Sequence, residues 1–138
     1  MRAVFADTFY WVALTNPGDS SHAQALTFDK TVLAEAEIVT IDEILIEFLT
    51  FFSSDPWLRN RAAVTTTALL RKPGVRVLPQ NRDSFLAGLE LYTARPDKGY
   101  SLTDCIAMQT MRRHGIMEIL TNDRHFSQEG FRALFVDA

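Results

Sequence analysis

Four carboxylates, Asp7, Glu47, Asp104 and Asp123, each stand at the edge of an apolar run or inside one. A lone ionised carboxylate against buried apolar surface is costly, so acids in such places are paired, hydrogen-bonded or bound to a cation. Three or four of them brought together would form an oxygen-rich donor set of the kind that holds Mg²⁺ or Mn²⁺. Such ions activate water and offset charge on a transferring phosphoryl group. The chemistry at stake is therefore metal-assisted phosphoester hydrolysis, provided the fold gathers residues separated by up to 116 positions.

Each acid also has a plainer role. Asp7 precedes a predicted helix and suits an N-cap, and Asp123, after Thr121-Asn122, suits another helix start. Ser101-Leu102-Thr103-Asp104 matches a capping box, in which the acid bonds back to the cap backbone. Glu47 falls on a polar stripe of Glu43, Glu47, Thr50 and Ser54 along an otherwise apolar helix, and Glu43 competes with it as the second acid. Thr8, Thr103 and Asn122 flank the acids and would orient ligands or water. His22, His114 and His125 lack zinc-ligand spacing, Cys105 stands alone, and neither a phosphate-binding glycine loop nor a nucleophile motif is present. His125 would contact phosphate or, as a histidine near a helix start, serve as a surface or packing residue. Phe9, Tyr10 and Trp11 are expected in the core rather than under nucleobases, and Trp57 with Phe51-Phe52 would serve either the core or a partner surface.

The 138 residues, 47% apolar and 22% charged, fit one domain spanning 1–138. The longest apolar run, 44–52, contains Glu47 and Thr50 and falls short of the roughly 18 residues of a membrane span. The opening residues lack a signal peptide's apolar length, and a single cysteine fits a reducing cytoplasm. Net charge is −3, yet residues 56–82 carry Arg59, Arg61, Arg71, Lys72, Arg76 and Arg82 without one acid. This asymmetry predicts either a basic face beside an acidic site, with Arg59 and Arg61 as candidate phosphate contacts, or simply a solvated helix face.

Apolar runs and breakers predict the elements that must position these residues. Strands are expected at 3–6, 38–41, 75–78, 118–121 and 134–136. Helices are expected over 9–14, from Ser20 or Ser21 to about Ala36, from a cap at Asp42 to about Phe52, from Pro56 to about Arg71, over 81–94, from Ser101 to about His114, and over 123–129. Alternation of this kind predicts an α/β fold with a mainly parallel sheet of four to five strands. If the first and fourth strands are neighbours at a reversal of strand order, Asp7 and Asp123 meet beyond their carboxyl ends.

The ordered set of Asp7-Thr8 after an apolar strand, Ile44-Leu45-Ile46-Glu47-Phe48, Ser101-Leu102-Thr103-Asp104-Cys105-Ile106-Ala107 and Leu120-Thr121-Asn122-Asp123-Arg124-His125-Phe126 resembles the PIN-domain ribonucleases. Within that family it looks most like the short VapC-type toxins of toxin-antitoxin pairs. The resemblance implies a three-layer α/β/α sandwich and Mg²⁺- or Mn²⁺-dependent hydrolysis of RNA by Asp7, Glu47, Asp104 and Asp123. Asp7, Glu47 and Asp104 would hold one ion, and Asp123 with Asp7 a second. It further implies a homodimer and a cognate antitoxin whose tail covers the acidic site. Phe9 departs from the family, where a small polar residue is frequent. A housekeeping RNA-processing nuclease and a non-catalytic binding module of the same fold are the alternatives. Receiver and haloacid-type phosphatase readings fail because Phe9 stands where the latter need a second Asp, and the third strand ends Leu78-Pro79 without an acceptor Asp.

Overall fold

The computed structural model describes residues 2–32 and 34–136. Among these residues five strands, β1 Arg2–Ala6, β2 Ala36–Ile41, β3 Val75–Leu78, β4 Glu118–Leu120 and β5 Arg132–Ala133, pair entirely in parallel in the order β3-β2-β1-β4-β5. The chain moves outward from β1 to β3, then returns to the other side of β1. Phe5 lies opposite Val39 on β2 and Ile119 on β4, so the reversal of strand order falls between β1 and β4. This is the arrangement the sequence required for Asp7 and Asp123 to converge.

Among the described residues seven helices connect the strands: α1 Thr8–Thr15, α2 His22–Val32, α3 Asp42–Phe51, α4 Pro56–Leu69, α5 Arg82–Ala94, α6 Leu102–Arg113 and α7 Arg124–Gln128. Parallel crossovers are right-handed, so a reversal of direction switches the face on which the connecting helices pack. Accordingly α1, α2 and α4 enclose a cavity over Ile38 of β2 and Val75 of β3, whereas α5 packs on α6. Gly88 permits that second contact, since a Cβ there would lie 3.0 Å from the backbone nitrogen of Ile106 and against its side chain. Helix α3 contacts α1, α4 and β2. The three central strands, β2, β1 and β4, are buried from both faces over most of their length, with Val4, Phe5, Ala6, Val39, Ile119 and Leu120 fully inaccessible, which explains their continuous rather than alternating apolar runs.

Local chemistry sets the helix starts. Asp55 caps α4 through Trp57 and Leu58 N–H ahead of Pro56, Asn81 and Ser84 form a capping box on α5, and Ser101 and Asp104 form another on α6. Each such cap stabilises a helix by about 1 kcal/mol. Gly115, at φ 66°, takes the left-handed conformation that closes the turn after α6.

Three boundaries differ from expectation. Helix α2 ends at Val32, and β2 begins at Ala36, because pairing of Ala36 with Arg2 extends the sheet into a stretch of helix-favouring composition. Asp42 lies inside the first turn of α3 rather than capping it. Its carboxylate accepts from Gln80 N–H and joins the ends of β2 and β3 instead. The last strand is Arg132–Ala133, and residues 134–136, predicted as a strand, form a turn. Apolarity there reflects burial of Leu134 and the ring contacts of Phe135 with Phe9 and Phe28, not sheet pairing.

Candidate active site

Asp7 leaves β1 at the carboxyl edge of the sheet and is 6% exposed. Its Oδ1 accepts the Thr8 N–H at 2.9 Å and its Oδ2 accepts the Thr121 hydroxyl at 2.8 Å. Thr121, fully buried at the end of β4, also accepts the Asp123 N–H at 3.1 Å. One hydroxyl therefore ties the first carboxylate to the segment carrying the fourth, across 114 positions of sequence. The sequence reading passed over Thr121 in favour of its neighbours. A polar residue closing an apolar strand two positions before an acid was the available signal.

Asp104 and Asp123 are held as the cap chemistry demands. Asp104 Oδ2 accepts the Ser101 N–H at 3.3 Å, and Asp123 Oδ1 accepts the His125 N–H at 2.9 Å. Glu47 projects from α3. Asp7, Glu47, Asp104 and Asp123 all line one open cleft of about 620 Å³, together with Thr8, Phe9, Val12, Asp19, Phe51, Thr121, Asn122 and Arg124. Glu43 lies elsewhere, in a depression shared with Gln80, Asn81, Arg82, Phe85 and Ile106, so Glu47 is the α3 acid that joins the cluster.

The electrostatics of the cleft show that these acids feel one another. Burial pushes the Asp7 carboxyl up to about 7, with further upward pressure from Asp104 and Glu47, against the lowering effect of the Thr121 and Thr8 hydrogen bonds. Burial also raises Asp104, helped by the charges of Asp123 and Glu47 and opposed by the bonds to Ser101. Ionising Asp7 and Asp104 together in this setting is costly, which favours retention of a proton or recruitment of a cation.

The residues present fit a hard divalent ion. The Thr8 hydroxyl and His125 Nδ1 are buried and have no hydrogen-bond partner among the described residues, and Thr8 lines the acidic cleft. Asp104, Asp123 and His125 each offer a ligand atom, and these atoms all lie within 4.8 Å of one another. His125 Nδ1 lies 3.5 Å from Asp123 and 3.9 Å from Asp104, and its ring rests edge-on against Tyr100. His125, for which the sequence left phosphate contact or a surface or packing role open, sits beside the acids.

Other expected residues fall outside the cleft. Thr103 does not line it, whereas exposed Asn122 does. Tyr10 and Trp11 are core residues as expected, 0% and 2% exposed, whereas Phe9, expected with them, is only half-buried and lines the cleft. Arg59 donates to the Ser53 carbonyl, and Arg61 donates to the Thr15 carbonyl while lying 4.8 Å over the Trp57 ring. The basic side chain on the cleft is Arg124, which the charge asymmetry of 56–82 gave no reason to select.

The model of the PIN domain matches residues 4–131. The chain belongs to the PIN-domain family. It is 30% identical over 130 residues to the 23S rRNA-specific endonuclease VapC20 of Mycobacterium tuberculosis, covering 93% of this chain and 95% of that one. The crystal structure of VapC20, described as a sarcin-ricin loop cleaving toxin, superposes with a TM-score of 0.83 at 28% identity, over 93% of this chain and 95% of the other. The fold is also that of VapBC2 from Rickettsia felis bound to a DNA fragment from its promoter, with a TM-score of 0.68, 15% identity and coverage of 95% and 96%. Among the described residues no helix is long and apolar enough to cross a membrane.

Proposed function

We propose that this chain is a PIN-domain endoribonuclease, the toxin of a toxin-antitoxin pair, acting as one domain in the cytoplasm with Mg²⁺ or Mn²⁺. The observation that carries the reading is the convergence of Asp7, Glu47, Asp104 and Asp123 on one cleft at the reversal of strand order, with Asp7 and Asp104 both raised by burial and by neighbouring acids. Those four side chains would hold the ion, with the Thr8 hydroxyl and His125 as polar groups beside it. When bound, the cation supplies activation of water and neutralises charge on the phosphodiester. The chain's own residues do the rest. Thr121 fixes Asp7 relative to Asp123, the caps fix Asp104 and Asp123, and Arg124 offers positive charge to the backbone of an entering strand.

RNA is favoured as substrate by the 30% identity to an endonuclease specific for 23S rRNA, which makes ribosomal RNA the first class to test. An antitoxin partner follows from the same kinship and from the shared fold with the toxin of a VapBC complex. A homodimer completes the expected assembly.

The test is incubation of the purified chain, free of antitoxin, with ribosomal RNA in Mg²⁺, Mn²⁺ or EDTA, beside Asp7→Asn and Asp104→Asn. Discrete cuts in either ion, abolished by EDTA and by each substitution, are expected. Cleavage that persists in EDTA or survives both substitutions refutes the assignment.

A further inference from the structure

The last residue of α3 stands out. Phe51 lies one helical turn beyond Glu47, so the two side chains are about 40° apart around the helix and share a face. Both line the acidic cleft. The Phe51 ring is 63% exposed, whereas Phe52 and Phe48 behind it are 3% and 0% exposed. Phe51 meets Phe52 edge-to-face at 5.0 Å and 86°, and Phe52 meets Phe48 in the same way at 5.7 Å and 85°. Two such contacts in series brace Phe51 on the core while most of its ring stays in water. A rigid, open aromatic surface beside carboxylates that hydrolyse a phosphodiester has the form of a stacking platform, because every nucleobase presents a π-face whatever its sequence.

We infer that Phe51 seats a nucleobase of the RNA strand next to the scissile phosphate, acting as a positioning residue. This rests on the nuclease reading of the cleft and adds to it the element that holds the strand. A partner protein covering the outer surface of α3 is the competing occupant. It would draw equally on Ile46, the other exposed apolar side chain of α3 at 52%, which lies about 140° from Phe51 around the helix and is not among the residues lining the cleft. The position of Phe51 on the Glu47 face, inside the cleft, favours the base.

The experiment uses single-stranded RNA oligomers carrying 2-aminopurine at successive positions, bound to the Asp7→Asn protein so that no strand is cut. Quenching at one position is expected. Adding Phe51→Ala should remove that quenching and weaken binding by about 5- to 150-fold, the range for losing one base–aromatic stack. Phe51→Trp should restore both, Ile46→Ala should change neither, and melting temperatures should stay close to that of the parent because the ring is largely exposed. In the active background Phe51→Ala should raise KM for ribosomal RNA more than it lowers kcat. Undiminished affinity and quenching in Phe51→Ala overturn the inference, as does an equal loss in Ile46→Ala. Because binding is read without cleavage, absence of metal-dependent cutting by the wild type would overturn the nuclease reading alone, and the fluorescence would still decide Phe51.

Discussion

In the absence of divalent metal, stability should fall as pH rises through neutrality, and Asp7 should be the main cause. Its carboxyl is pushed from an ordinary 3.8 to about 7, chiefly by burial. A folded value above the unfolded one means that the native state keeps its proton longer than the unfolded chain. The contribution is therefore most favourable below about pH 4, declines as pH rises through 7, and then levels off. A displacement of about three units corresponds to about 4 kcal/mol, or on the order of 10 °C in melting temperature for a domain of this size. Asp7→Asn keeps the shape and remains neutral, so it should escape this decline at the smaller cost of a rearranged hydrogen bond to Thr121. Thermal denaturation in EDTA from pH 5 to 8 should show the wild type losing ground steadily to Asp7→Asn. Mn²⁺ at pH 8 should restore the wild type alone, by about 2.7 kcal/mol at a hundredfold excess over the dissociation constant. Parallel pH profiles for the two proteins, or equal rescue by Mn²⁺, would refute the reasoning.

Thr121→Val keeps the shape of the side chain but deletes the hydroxyl that joins Asp7 to Asp123. It should weaken Mn²⁺ binding by roughly 10- to 100-fold, measured by calorimetry, while the circular dichroism spectrum stays unchanged. At Glu129, burial is overcome by hydrogen bonds from Arg112, Arg95 and Tyr100, which hold the carboxyl at about 2. A depressed acid stabilises above its unfolded value of 4.5 and loses that contribution as pH falls toward 2. Because both arginines are more than a third exposed, Glu129→Gln should cost only about 2 kcal/mol at pH 7, with the two denaturation curves converging near pH 2.

Four of the five strands and all seven helices found among the described residues were legible because apolar runs and breakers are local signals. Pro73-Gly74 ends one unit before β3, and Ser101 to Asp104 starts another. What sequence could not settle depended on contacts made at a distance. Glu43 and Glu47 occupy one stripe of α3, and only the packing of that helix separates the depression near Asn81 and Phe85 from the acidic cleft. Arg124 was overlooked because a charge census rewards runs, whereas one arginine placed by α7 suffices at the cleft. Asp42 looked like a cap until pairing of β2 with β3 brought Gln80 within reach.

The contest between capping and catalysis at Asp7, Asp104 and Asp123 was a false one, since each residue does what the plainer reading asked and still faces the cleft. Asp7 takes the first N–H of α1, Asp104 completes the box at the start of α6, and Asp123 accepts from the first turn of α7. A cap hydrogen bond fixes a carboxylate against its own helix, and the positive end of that helix lowers the cost of its charge. Three helix starts at one end of the sheet thereby hold three acids in place before any ion arrives, at positions whose mutual repulsion an unorganised chain would relax. The same bonds that make each acid unremarkable in sequence hold the set around one cleft, as the proposed metal site requires, so it is their joint convergence that carries the proposal.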